Sequence, residues 1–387
     1  MIIKPAKRTE SVKEYYFSKK NREIAQMNLD GRKDPVINLG IGAPDGRPPQ
    51  AAIDELCKVA QMDGVHKYQS YNGTPELRKA FADWYKRYYN VTLDPAKEIQ
   101  PLTGSKEGIL LICLAFLNKG DKILIPDPGY PTYSSSARLC EAEIINYDLK
   151  EELGFQPDFD ELEKMDLSGV KLMFTNYPNM PTGAPASREL YRKLVDFGRR
   201  HGIMICNDNP YSFILADEHL SILEVEGALD CCLEMNSLSK AHNMSGWRLG
   251  MVAAEADVIS EILKVKSQMD SGIFRGLQLA AVEALSCGEE WFGPLNDEYR
   301  ARRAAACEIM DLIGAKYRSD SQGLFVWGKV DRPGVEYSDK FLYEAGVFIT
   351  PGFIFGKNGE NYVRISLCAP VPTLQEAKRR IAAVLGK

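Results

Sequence analysis

Between residues 101 and 254 the chain alternates short apolar runs with longer amphipathic ones. The apolar runs lie at 122–126, 144–147, 170–175, 202–206, 231–236 and 249–253. Helical patterns separate most of them, at 108–117, 131–140 and 187–201, with an irregular piece at 211–226. Short strands that are apolar throughout are buried on both faces, and the helices between them supply the cover. The pattern predicts an α/β fold, a mostly parallel sheet between helices. In such a sheet, ligands sit outside the carboxyl ends of the strands.

The flanks read differently. Residues 8–30 predict a helix anchored by Tyr15, Tyr16 and Phe17, followed by a strand at 36–39. Helices follow at 50–61 and 75–89, the second capped by Thr74. Beyond the alternating region, helices are predicted at 255–268, 276–286 and, after Pro294, 295–313. The tail reads as strands at 324–327, 347–349 and 362–367 with helices at 338–344 and 373–385. The expected division is a large domain over 45–290 and a smaller α+β domain built from 1–44 and 291–387. A chain of 387 residues has room for both.

Composition removes several functions. A net charge of −5 gives no broad basic field, so nucleic acid is not an expected partner. The longest strongly apolar run, 109–117, is too short for a bilayer, and the first ten residues have no apolar signal core. Nine scattered cysteines form no Cys-x-x-Cys pair and no His/Cys cluster at metal spacing. They read as reduced thiols in a cytoplasmic protein with no metal site. Gly40-x-Gly42 opens like a dinucleotide loop, but Pro44 and Asp45 follow where a third glycine and a helix should stand.

Three consecutive predicted strands deliver polar groups to one rim. The first runs into Asn176, Asn179 and Pro181-Thr182-Gly183, the second into Asp208 and Tyr211, the third into Ser237, Ser239 and Lys240. Lys240 offers an amine nucleophile, and the nearby hydroxyls with Arg248 can hold a phosphate. A carboxylate such as Asp208 keeps a pyridine nitrogen protonated, because each charge favours the other. Gly104-Ser105-Lys106 stands directly before an apolar helix, whose free amides attract anions. Arg364 lies in an apolar strand and needs a partner, for which a carboxylate fits its forked geometry. Each residue alone has an ordinary explanation. Lysines are mostly solvated, Asp208 can cap the turn before Pro210, and Tyr130 and Tyr211 can plug a core. The ordered set overturns that reading.

The order Gly42, Tyr68, Gly104-Ser105-Lys106, Tyr130, Pro181-Thr182-Gly183, Asp208, Tyr211, Lys240, Arg248, Arg364 resembles class I aminotransferases of fold type I. The likeness spans nearly the whole chain, and Ser-x-Ser-Lys before Gly-Trp-Arg-x-Gly is its most specific part. It implies pyridoxal 5′-phosphate as cofactor and transfer of an amino group between an amino acid and a 2-oxo acid. In that scheme Lys240 forms a Schiff base with the cofactor and shuttles a proton, Asp208 pairs with the pyridine nitrogen, and Tyr211 contacts O3′. Tyr130 stacks on the ring, and Gly104, Ser105, Lys106, Ser237, Ser239 and Arg248 bind the phosphate. Arg364 takes the substrate α-carboxylate, with Gly42 nearby. Tyr68 resembles a tyrosine that reaches the neighbouring subunit's phosphate, which implies a homodimer with shared sites. Residues 104–109 and 270–274 resemble the branch of LL-diaminopimelate, aspartate and alanine aminotransferases. A lyase or decarboxylase on the same fold is the alternative. One residue departs from the family pattern: Met180 stands where an asparagine usually precedes Pro-Thr-Gly, and a thioether cannot donate to O3′. Asn179, one residue earlier, is the candidate replacement.

Overall fold

The computed structural model describes residues 2–31 and 34–387. Its centre is a sheet of seven strands: β1 (Ile99–Leu102), β2 (Lys122–Asp127), β3 (Glu143–Asp148), β4 (Val170–Thr175), β5 (Met204–Asp208), β6 (Cys232–Ser237) and β7 (Gly250–Ala253). Their order is β1-β7-β6-β5-β4-β2-β3. Pairings from β6 through β3 are all parallel, and β7 is antiparallel to both its neighbours. The expected α/β architecture is present.

Alternate residues serve opposite faces, as the pleat requires. Ile123, Ile125, Leu172 and Phe174 pack with helices Ser105–Phe116 and Ala256–Lys266, while Leu124, Met173 and Ile205 join the larger core on the other face. Residues of one strand are thus buried on both sides, which is why the runs read as continuously apolar.

Three expectations need correction. β1 was not among the predicted strands; it contains Pro101, which has no N–H to give to a ladder, and it lies at the sheet edge beside β7. The first helix does not run from residue 8. A short 3-10 turn, Lys7–Ser11, is followed by extended chain and then helix Tyr16–Leu29. Thr9 and Ser11 turn their hydroxyls onto the carbonyls of Ala6 and Arg8, which competes with helix continuation. The long helix begins at Glu289, not after Pro294. So near its start a proline removes only one intrahelical bond, and Glu289 and Glu290 suit the positive helix end.

A second, antiparallel sheet orders Thr350–Pro351, Tyr362–Ser366, Phe325–Lys329 and Lys316–Tyr317. Ile37–Asn38 pairs in parallel with Val347–Phe348, tying the N-terminal segment to the tail. The Leu39 carbonyl then accepts from Ser366 N at 2.8 Å. Arg302, buried on the long helix, pairs with Asp45 and donates to the Leu367 carbonyl. These bonds fix residues 39–45 across the carboxyl ends of the central strands. Among the described residues, no helix is long and apolar enough to cross a membrane.

Candidate active site

A cavity of about 500 Å³ opens where those strand ends meet residues 40–43 and the second sheet. Of the predicted site residues, Gly42, Ser105, Lys106, Tyr130, Asp208, Tyr211, Ser237, Ser239, Lys240, Arg248 and Arg364 all line it. The strand ends explain the gathering: β5 ends on Asp208, paired with Met235, and β6 runs two residues further to Ser237.

Asp208 is 5% exposed. One carboxylate oxygen accepts from the Tyr133 hydroxyl at 3.0 Å; the other, Oδ1, is buried without a partner. Burial pushes its pKa up to about 7, against the Tyr133 hydrogen bond and the nearby Lys240 charge. An acceptor buried beside a cavity without a donor is costly. It awaits a cationic or N–H group inside that cavity.

Lys240 donates to the Gly42 carbonyl. Removal from water lowers its pKa; Arg364 and Arg248 push the same way, against Cys368 and Asp208. More of the amine is therefore neutral near pH 7, the form that attacks a carbonyl. A Cβ at Gly42 would lie 2.4 Å from Phe325 Cζ, so only glycine lets this carbonyl approach.

The opposite end is an anion cradle. Helix Ser105–Phe116 starts at Gly104, whose φ is +86°. A Cβ there would meet Arg248 Nη2 at 2.3 Å, so Gly104 belongs to the cradle as the space Arg248 occupies, although it does not itself line the cavity. Arg248 is held by backbone carbonyls, donating to Ser245 at 2.8 Å and Thr103 at 3.3 Å. The Ser237 and Ser239 hydroxyls are 2.8 Å apart. Lys106 Nζ lies 4.7 Å from the centre of the Tyr15 ring. Four cations line the cavity against one carboxylate, Asp208, and among the described residues neither Arg248 nor Arg364 has a carboxylate partner. Helix start, hydroxyls and guanidinium together suit a phosphate.

Arg364 is 4% exposed and sits mid-strand with its guanidinium carbon 3.9 Å from the centre of the Phe325 ring. It donates to the Gly40 carbonyl at 2.7 Å and towards Met180 Sδ at 3.3 Å, and its Nε is unpartnered. Burial pushes its pKa down to about 10, which still leaves it charged at neutral pH.

Asn179 does not line the cavity, which corrects the expectation that it contacts the cofactor. Its amide donates to the Asn176 carbonyl, and its oxygen accepts from Thr182 N and Thr182 Oγ1, all inside the loop. Met180 occupies the wall instead. Tyr68 stays outside the cavity, 90% exposed. Tyr133, Asn176, Tyr15 and Phe17 line the site without having been assigned to it from sequence. Tyr133 falls inside the predicted helix 131–140, and Tyr15 and Phe17 are the predicted helix anchors. Asn176 had a visible signal, its place at a strand end.

Known proteins resemble this chain over almost its whole length. The family model described as "Aminotransferase class I and II" matches residues 34–381. An LL-diaminopimelate aminotransferase of Aquifex aeolicus is 41% identical over 370 residues, 94% of each chain. One from Dehalococcoides mccartyi is 37% identical over 384 residues, 98% of each chain. The substrate-bound BacF structure from Bacillus subtilis superimposes with a TM-score of 0.93 at 34% identity, covering 99% of this chain and 98% of that one. With such similarity over almost all of its length, this chain belongs to the class I and II aminotransferases, with the fold type I architecture.

Proposed function

We propose that this aminotransferase works with pyridoxal 5′-phosphate held by Lys240, as a cytoplasmic homodimer with shared sites. The observation that supports it most is the buried, unpartnered Asp208 Oδ1 in one cavity with Lys240 and an unpaired cationic cradle. That combination fits a protonated pyridine at one end and a phosphate at the other. The cofactor, when bound, supplies a ring that accepts the electron pair freed at the substrate Cα.

The residues divide the work. Asp208 holds the proton on the pyridine nitrogen, and Tyr133 orients Asp208 through its second oxygen. Tyr211 would face the phenolic oxygen of the bound cofactor, and Tyr130 would cover its ring. Gly104, Ser105, Lys106, Ser237, Ser239 and Arg248 bind the phosphate. Arg364 binds the α-carboxylate, and the Gly42 carbonyl keeps Lys240 near the reacting carbon, where its amine accepts and returns the proton. The large domain, 45–290, provides most of these groups; the small domain, 1–44 and 291–387, provides Gly42 and Arg364. The lyase or decarboxylase alternative draws no support from relatives named as aminotransferases. Those names make LL-diaminopimelate one candidate amino donor.

The test is direct. Protein incubated with pyridoxal phosphate and then borohydride should hold the cofactor covalently, and peptide mapping should place it on Lys240. The same protein should release at most one equivalent of 2-oxo acid per site from an amino acid alone, and should turn over repeatedly only when a second 2-oxo acid is supplied. A label on another lysine, or repeated turnover without the second acid, would remove the assignment.

A further inference from the structure

The cavity has a second character besides its charge. Arg364, the group read here as the carboxylate clamp, is surrounded by three phenyl rings. Its guanidinium carbon lies 3.9 Å from the Phe325 centroid, 4.6 Å from Phe355 and 5.6 Å from Phe17. Tyr15 adjoins Phe17, ring centres 5.6 Å apart, and Ile41 completes this wall. Tyr15 and Phe17 come from the chain around the start of the first helix, where the 3-10 turn breaks it off early. The break brings both rings to the site.

A diamino dicarboxylic acid such as LL-diaminopimelate ends in an ammonium beside a carboxylate. Burying that ammonium requires a carboxylate or equivalent acceptors. Among the described residues, Asp208 is the sole acidic residue lining the cavity, and it lies with Lys240 at the cofactor end. The loop expected to cross from a second subunit, Lys67-Tyr68-Gln69-Ser70-Tyr71-Asn72-Gly73, contains no acid either. Nearby Asp270 is paired with the buried Lys266.

We infer that the preferred amino donor has an uncharged aromatic or large apolar side chain, and that Phe17 and Tyr15 set this preference. The inference rests on Arg364 as the carboxylate group, as proposed above. A carboxylate on Arg364 brings the rest of the substrate among rings, where apolar surface is removed from water. A single apolar contact of this kind discriminates by roughly ten- to two-hundredfold.

The experiment uses the cofactor-loaded protein and two readouts. In rapid half-reactions with single amino acids, phenylalanine should exceed LL-diaminopimelate, aspartate and alanine in kcat/KM by at least about tenfold. In Phe17→Ala the phenylalanine-to-alanine ratio should fall by about tenfold, a change that general misfolding does not produce. In calorimetry, 3-phenylpropanoate, which lacks the amine, should bind more tightly than propanoate, and Tyr15→Ala or Phe17→Ala should shrink that difference. LL-diaminopimelate or aspartate as the best donor, or an unchanged ratio in both variants, would overturn the inference while leaving the aminotransferase reading intact. No reaction with any amino acid, with 3-phenylpropanoate binding unaffected by Arg364→Ala, would overturn the reading beneath it as well.

Discussion

Asp208 is held by the fold with too few partners, and this has a pH consequence. Its pKa rises from 3.8 to about 7, chiefly through burial. In the unfolded chain it ionises near its ordinary value. The folded protein therefore holds the proton more tightly. The stability this contributes is complete below about pH 4 and is lost as pH rises through about 7. Between pH 5.5 and 7, the cofactor-free protein should lose about 2 kcal/mol from this group. Asp208→Asn has no such group to ionise. Urea unfolding of both cofactor-free proteins should therefore show the variant gaining about 2 kcal/mol on the parent over that interval. A difference independent of pH would mean that Asp208 is ionised throughout. The residue itself was legible because Asp-x-x-Tyr follows a predicted strand end. Its partner Tyr133 was not, because period and apolar neighbours place a helix tyrosine in the core, and a hydroxyl's aim is not written in spacing. Phe17 was hidden for the same reason. Met180 lies in the cavity wall, and its contact with Arg364 depends on a strand from the tail.

At the scale of elements, the turn from β1 into helix Ser105–Phe116 is the most constrained piece of the cradle. Gly104 has φ +86° and leaves 2.3 Å between a built Cβ and Arg248 Nη2. Gly104→Ala must displace the guanidinium. Losing a charged hydrogen bond to a phosphate costs about 1.5–3 kcal/mol, so the dissociation constant for pyridoxal phosphate should rise roughly ten- to a hundredfold. Gly120 has φ +87° with nothing within 4 Å of a built Cβ. Gly120→Ala therefore shares the backbone strain, about 1–2 kcal/mol, and spares Arg248. Equilibrium dialysis against the cofactor should separate the two variants; equal affinities would remove Arg248 from the cradle. The alternating strands of this region were legible because burial on both faces makes them uniformly apolar. β1 was not, since Pro101 lacks an N–H for the ladder and interrupts the run, and its edge position is a property of the finished sheet. The N-terminal helix was overextended because Tyr15 and Phe17 match a helical face as well as a cavity wall.

Over the whole molecule, Tyr68 is the predicted site residue that faces away from its own chain. Tyr68 is 90% exposed and Tyr71, in the same loop, 44%. The loop is nevertheless braced: a Cβ at Gly272 would lie 2.6 Å from the Gln69 carbonyl, so the two segments are in close contact. Exposed rings on a braced loop suit a protein interface better than solvent. In the homodimer proposed above, Tyr68 of each subunit completes the phosphate site of the other. Two defective subunits then have a definite joint behaviour. Lys240→Ala removes the cofactor lysine, and Tyr68→Ala removes the contact donated to the neighbour. Each homodimer should be inactive or weak in cofactor retention. In a mixed dimer, the Tyr68→Ala subunit keeps its Lys240 and receives an intact Tyr68 from its partner, so one site of two is whole. Co-expressed, differently tagged subunits purified as the hybrid should recover about half the parent activity per dimer, because its two sites share no residue. Sedimentation should give the mass of two chains. No recovery in the hybrid would mean that Tyr68 serves its own subunit or none, and a fully active monomer would remove the shared site altogether.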